Sequence, residues 1–371
     1  MGAIVAGQTS VKAPEREAFE EYLPTDVHIV SCHSLHGPSI SPLGQPLALI
    51  HHRGPTTALT LVESILKPFR SRFVYMTFEE HDNITANTQA VTHAAFLSMG
   101  TAWHNDYEYP WEVPQGRYTG GIETVKVNIT HRIYSNNWHV YAGLAILNPS
   151  AKVQIEQYAK SATELFKLIL DKNESGLRKR VYQAREKVFL QNASVNARPI
   201  LLSEDFLDKF SLGTPRDRAG SSPTASDPGG AETTTAPTTP SRSNSHLSLL
   251  AMADCWAALS IDPFQHLSVA ATPIFRMWIG VAEYLFRDVD RLNAALDAAL
   301  RDSQYRSNDM EFVLAARSWC ECVQFGSFEL YRRRFETTAQ FFSPRFAEAQ
   351  TLSTKMIEAI LEEANRDGMT K

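Results

Sequence analysis

Residues 92–103, THAAFLSMGTAW, return at residues 245–256 as SHLSLLAMADCW. His93 aligns with His246, Met99 with Met252 and Trp103 with Trp256; beyond them Pro110 aligns with Pro263, all at a single offset. Ungapped matches that include a Trp pair mark a duplicated unit. The helix expected from Thr272 to Asp288 then parallels the one that carries Arg132. One copy of such a unit can bury its apolar face against the other, which gives within one chain what a homodimer gives with two. We therefore expect residues 79–211 and 244–367 to be two tandem copies of one helical domain, packed about a pseudo-two-fold axis. The whole chain could still form a homodimer. The second copy has no α/β partner upstream, so it is expected to hold no active site of its own.

The front of the chain is of another class. Ala3–Ala6, Val27–Val30, Pro46–Ile50 and Arg72–Met76 read as strands, and Glu15–Tyr22 and Thr57–Phe69 read as helices. Strands alternating with helices imply a parallel sheet with its ligand beyond the carboxyl ends of the strands, here the loops Gly7–Pro14 and Ser31–Pro38. The fold class is thus α/β followed by all-α, with residues 1–78 as a partial Rossmann-like sheet. A dinucleotide-binding sheet normally opens with a strand, a G-x-G-x-x-G turn and a helix. Residues 1–78 contain no such run. They read as the second half of a nucleotide-binding domain, and an upstream strand–G-x-G-x-x-G–helix is expected to complete it. Residues 212–243, rich in Ser, Thr, Pro and Gly, have too few aliphatic residues to bury a core and read as a disordered linker.

Glu79–Trp103 reads as one long apolar helix with polar residues set into it. His81, Thr85, Gln89 and His93 recur every four residues. Twelve residues of helix span about 18 Å, so His81 and His93 cannot both touch one small molecule. Gln89 and His93, one turn apart, can share a ligand. Buried polar groups need partners, whether protein or substrate. Ile122–Leu147 reads as a second long helix, carrying Lys126, Asn128, His131 and Arg132.

The net charge of −5 and the lack of any Lys/Arg run exclude an electrostatic footprint for nucleic acid. No apolar run reaches the roughly 18 residues of a membrane span. Four scattered cysteines and an N-terminus without signal character point to the cytoplasm. Cys320-Glu-Cys322 within a helical pattern and His51-His52 without further ligands are weak metal motifs. No metal is expected.

Three constellations remain: Gln8-Thr-Ser-Val-Lys12, Cys32-His-Ser-Leu-His-Gly-Pro38, and the row His81…Gln89…His93 with Arg132 on the later helix. Taken singly, His33 is a loop histidine and Arg132 an ordinary ion-pair residue. In this order and spacing, with Tyr141 nine residues beyond Arg132, they resemble prephenate dehydrogenase, in particular its fungal form, over nearly the whole chain. The resemblance implies oxidative decarboxylation of prephenate to 4-hydroxyphenylpyruvate in tyrosine biosynthesis, with NADP as cofactor. It implies His33 as the catalytic imidazole with Ser10 beside it, Ser10 and Lys12 on the cofactor side, and Gln89, His93 and Arg132 as substrate-binding residues. An imidazole is largely neutral at cytosolic pH and can accept the proton of the 4-hydroxyl; a guanidinium offers a fork that suits a carboxylate. The rivals are an arogenate dehydrogenase, and a catalytically inactive helical interaction protein whose α/β segment is a remnant.

Overall fold

The computed structural model describes residues 2–36, 41–106, 121–191, 201–202, 206–207, 210, 244–270, 272–302 and 306–369, the last seven as backbone only. A four-stranded sheet comes first: β1 (Ile4–Val5), β2 (His28–Ser34), β3 (Pro46–Arg53) and β4 (Arg72–Tyr75), in that spatial order. Helix α1 (Ala13–Tyr22) joins β1 to β2 and α2 (Thr56–Leu66) joins β3 to β4. Both of those ladders are parallel, as such crossovers require. The β2–β3 ladder is antiparallel, so the sheet is mixed and the expectation of a parallel sheet is corrected there. Among the described residues no helix lies between β2 and β3, and the eleven positions 35–45 are too few for a crossover.

Strand β2 runs past Val30 to Ser34, and its residues from Ile29 to His33 are all buried. His33 is therefore a strand residue, opposite Ala48 of β3, and not part of the expected loop. The period of two then sorts the faces. Val30 and Cys32 meet Ala58, Val62 and Leu66 of α2, whereas Ile29 packs with Ile50 and Phe78 on the other face. His33 shares the face of Ile29, towards α3 (Phe78–Thr85). A capping box fixes the start of that helix: Thr77 Oγ1 accepts from the Glu80 N–H, and the Glu80 carboxylate accepts from the Thr77 N–H.

The single helix expected over Glu79–Trp103 is interrupted. A π-helical stretch, Ala86–Val91, separates α3 from α4 (Thr92–Asn105), and Thr92 Oγ1 donates to the carbonyl of Asn87, five residues back. This stretch resets the 100° phase, so a straight helical projection fails across it. Such insertions favour functional sites, and Gln89 lies within this one. The expected helix Ile122–Leu147 is likewise two, α5 (Ile122–Tyr134) and α6 (Trp138–Ile146), broken at Ser135-Asn-Asn137. These short polar residues compete with the helix for its own hydrogen bonds.

Helices α7 (Pro149–Leu170) and α8 (Glu174–Arg185) follow. After residue 244 come α9 (Leu247–Leu259), α10 (Pro263–Val269), α11 (Pro273–Arg287), α12 (Val289–Arg301), α13 (Arg306–Phe325), α14 (Phe328–Phe342) and α15 (Phe346–Met369). Helix α4 lies along α13 much as α9 lies along α7, and α7 and α13 lie against each other. One apolar core runs through both stretches. The Phe96 and Trp278 rings meet edge to face at 4.8 Å, Trp256 Nε1 donates to Asn87 Oδ1, and Trp319 Nε1 donates to Thr101 Oγ1. Close approach of α5 to α4 depends on Gly100, where a Cβ would come within 2.4 Å of the Tyr134 ring. The linker expected at residues 212–243 lies outside the described residues. Among the described residues, no single helix is long and apolar enough to cross a membrane.

Candidate active site

His33 Nδ1 lies 2.8 Å from His81 Nε2, and His81 Nδ1 lies 2.9 Å from Asp82 Oδ1. Asp82 in turn accepts the backbone N–H groups of Lys12 and Ala13, each at 2.8 Å, at the start of α1. The proton order follows from the donor inventory. A carboxylate only accepts, so Asp82 takes the Nδ1–H of His81. His81 Nε2 is then an acceptor, so His33 must donate its Nδ1–H, which leaves His33 Nε2 with a free lone pair. Burial holds His33 neutral, with its pKa pulled down to about 3, and the neighbouring His81 and Lys12 add to the shift. His81 is lowered by burial against the opposing pull of Asp82.

His33 lines a cavity of about 400 Å³ together with Gln8, Ser10, His36, Gln89, His93 and Arg132. Five of the six residues singled out in the sequence thus meet on one cavity. The ring of His93 stands edge-on to Tyr141 at 4.8 Å, with its pKa lowered to about 3 by burial. Its Nδ1 has no hydrogen-bond partner among the described residues. The guanidinium of Arg132 is half-buried, and no carboxylate pairs with it among the described residues. Ser10 reaches the cavity from the β1–α1 loop, but the His33 ring is held by His81 rather than by Ser10.

Lys12 goes elsewhere. Its side chain is fully buried, and Nζ donates to the Glu15 carboxylate at 3.0 Å, to Ser31 Oγ at 2.8 Å and to the Cys32 carbonyl at 3.0 Å. It ties the β1–α1 loop to β2 and does not line the cavity.

The sequence reading names neither Asp82 nor the far wall. Thr272, Pro273 and Ile274 at the start of α11 and Ile357 on α15 line the same cavity, as do Val140 and Leu144 on α6. The signal for Asp82 was present: a His-Asp dipeptide in the first turn of a helix opened by T-x-x-E.

A second, more apolar groove of about 560 Å³ runs from Gly2, Ile4 and Ala6 to Leu61 and Ile65 of α2, and Gln8 borders both cavities. The described residues do not fit the phosphates of a dinucleotide. The N–H groups opening α1 are taken by Asp82, and the space beside Gly7 is filled by Glu15, whose carboxylate a Cβ there would meet at 2.2 Å.

Residues 90–362 match a family model for the C-terminal domain of the 6-phosphogluconate dehydrogenase type. The chain is 47% identical over 363 residues to a probable prephenate dehydrogenase [NADP(+)] of Schizosaccharomyces pombe, covering 98% of this chain and 78% of that protein. It is 46% identical over 366 residues to the prephenate dehydrogenase [NADP(+)] of Saccharomyces cerevisiae, covering 98% and 76%. A probable arogenate/prephenate dehydrogenase of Methanocaldococcus jannaschii matches 49% of the chain, and 41% of its own length, at 25% identity. With two relatives this similar along almost its full length, and a guanidinium, three histidines and two amides gathered on one cavity, the chain belongs to the prephenate dehydrogenase family.

Proposed function

We propose that this chain catalyses the oxidative decarboxylation of prephenate to 4-hydroxyphenylpyruvate in tyrosine biosynthesis, in the cytoplasm. The reading rests above all on His33: a buried, neutral imidazole with its rear nitrogen committed to His81, on the same cavity as Arg132. NADP, the cofactor in the relatives' names, would supply the acceptor for the hydride of C4. His33 Nε2 accepts a hydrogen bond from the 4-hydroxyl and takes its proton as C4 becomes carbonyl-like. A protonated carbonyl is a strong acid, so a weak base suffices, and the incoming carboxylates raise the affinity of His33 for that proton. When carbon dioxide leaves, the C–C bonding pair enters the ring, and the proton returns to the new phenolic oxygen. Arg132 holds a carboxylate through its fork, while Gln89 and His93 supply further polar contacts. Ser10 stands beside the reacting hydroxyl.

The relatives' names allow arogenate as well as prephenate. The described lining offers a cation, imidazoles, amides and hydroxyls, which suit two carboxylates and a keto group better than an added ammonium. The test is NADPH formation, with saturating NADP and either substrate, by the chain supplied with a strand–G-x-G-x-x-G–helix segment, which residues 1–78 lack. Prephenate is expected to lead arogenate in kcat/KM by at least about tenfold, a difference near 1.4 kcal/mol. Absence of turnover with both would refute the assignment.

A further inference from the structure

The far wall of the cavity is the amino end of a helix. Thr272 is the N-cap of α11, and Pro273 and Ile274 are its first two residues; all three line the space that holds His33, Gln89, His93 and Arg132. Helix α11 runs fifteen residues to Arg287 and belongs to the second helical stretch, which sequence reasoning left without a part in the chemistry. It packs on α5, the helix that carries Arg132.

A helix start presents N–H groups without intrahelical partners and the positive end of the macrodipole. Pro273 contributes no N–H, so the backbone donor nearest the tip is that of Ile274. Thr272 Oγ1 accepts from the Phe275 N–H at 3.3 Å, which leaves its hydroxyl proton to donate. An independent observation marks the same space as a ligand seat. His93 is only 8% exposed, lines the cavity, and its Nδ1 has no partner among the described residues. Its Nε2 makes no hydrogen bond among the described residues either and is not sealed off, so the ring can take one from a group in the cavity.

We propose that the amino end of α11 receives one of the two carboxylates of the substrate, through the Thr272 hydroxyl and the Ile274 N–H, while Arg132 receives the other. The second helical stretch thereby completes the binding site of the first. This rests on prephenate being the ligand, as argued above. It also accounts for how a cavity lined, among the described residues, by one guanidinium can take a dianion.

The test is calorimetric titration of the full chain with prephenate, which requires no turnover. Thr272→Asp keeps an N-cap as good as threonine or better, so the helix holds, yet it sets a negative charge where the carboxylate would lie. Thr272→Asn keeps the cap without the charge. Both variants should melt at the wild-type temperature, and Thr272→Asp should bind prephenate at least about tenfold more weakly than Thr272→Asn does. Equal affinities in the two variants, with a wild-type chain that binds, would overturn the assignment of α11 and leave the enzymatic reading intact. A wild-type chain that does not bind prephenate would remove both.

Discussion

Asp82 sets the proton position of His33 without touching it. The ring of His81 lies between them, 2.9 Å from the carboxylate on one side and 2.8 Å from His33 on the other. Because the carboxylate is itself fixed by two backbone N–H groups of α1, the orientation of the imidazole traces back to where the first helix begins. The His33 ring is thus held by β2, α3 and α1 together, each contributing one element of a short hydrogen-bonded row.

Removing the base is the most direct check. His33→Asn should lower kcat about 10²- to 10⁴-fold, the usual range for a general base, with little change in the KM for prephenate. Steady-state NADPH formation measures both.

Asp82→Asn tests the row behind it. An asparagine can present an N–H to His81 Nδ1, which forces the opposite tautomer on His81 and then on His33. His33 would face the cavity as a donor. A fall in kcat of about a hundredfold or more is expected at nearly constant KM, and a kcat close to wild type would show that the row does not direct the proton.

For Arg132, Arg132→Gln should raise the KM for prephenate by about ten- to a hundredfold, as loss of a charge-assisted bidentate contact does. No ion pair within the described residues depends on it, so the melting temperature should hold. A variant that unfolds early would instead mark Arg132 as structural.

Lys12 should behave in the opposite way. Lys12→Met leaves the Glu15 carboxylate buried without its cation, which costs about 3–5 kcal/mol. Chemical denaturation should show the loss, and adding Glu15→Gln should recover part of it. Unchanged stability with weaker NADP binding would return Lys12 to the cofactor side.

The pH dependence of stability has a definite sign. His33 and His93 are lowered to about 3 and His131 to about 4, chiefly by burial. Between those values and the ordinary histidine value near 6.5 the unfolded chain binds more protons, so stability is full above about 6.5 and falls as pH drops, by roughly 1.4 kcal/mol per pH unit for each such group. Asp309, pushed up to about 7 by burial, works the other way between about 3.8 and 7. Three histidines outweigh one aspartate, so the urea midpoint should be lower at pH 5 than at pH 7.

Much of the site was legible because its residues sit where sequence patterns change. Ser10 follows a strand, Gln89 and His93 are polar in an apolar row, and Arg132 ends a buried helix. What escaped was set by partners far along the chain. His33 looked like a loop residue since Cys-His-Ser is a weak strand pattern; its burial depends on His81, across from it on α3. The π-helical stretch at Ala86–Val91 changes no residue type and so leaves no periodic trace. The antiparallel β2–β3 ladder was readable from the absence of a helix between the strands. Thr272 could not be assigned to the cavity, because only the packing of α11 on α5 brings it there.

The repeat has one more implication. His246, which aligns with His93, is half-buried with its Nδ1 3.1 Å from both Lys126 Nζ and a Glu123 carboxylate oxygen, and it does not line the cavity of His33. In a symmetric pair of subunits every substitution appears twice, so a position serving catalysis in one subunit is constrained in the other. Were residues 79–211 and 244–367 such a pair fused in tandem, that coupling would be lifted. Each position could then change alone, and the half relieved of chemistry would be at liberty to become scaffold, ion-pair partner or wall.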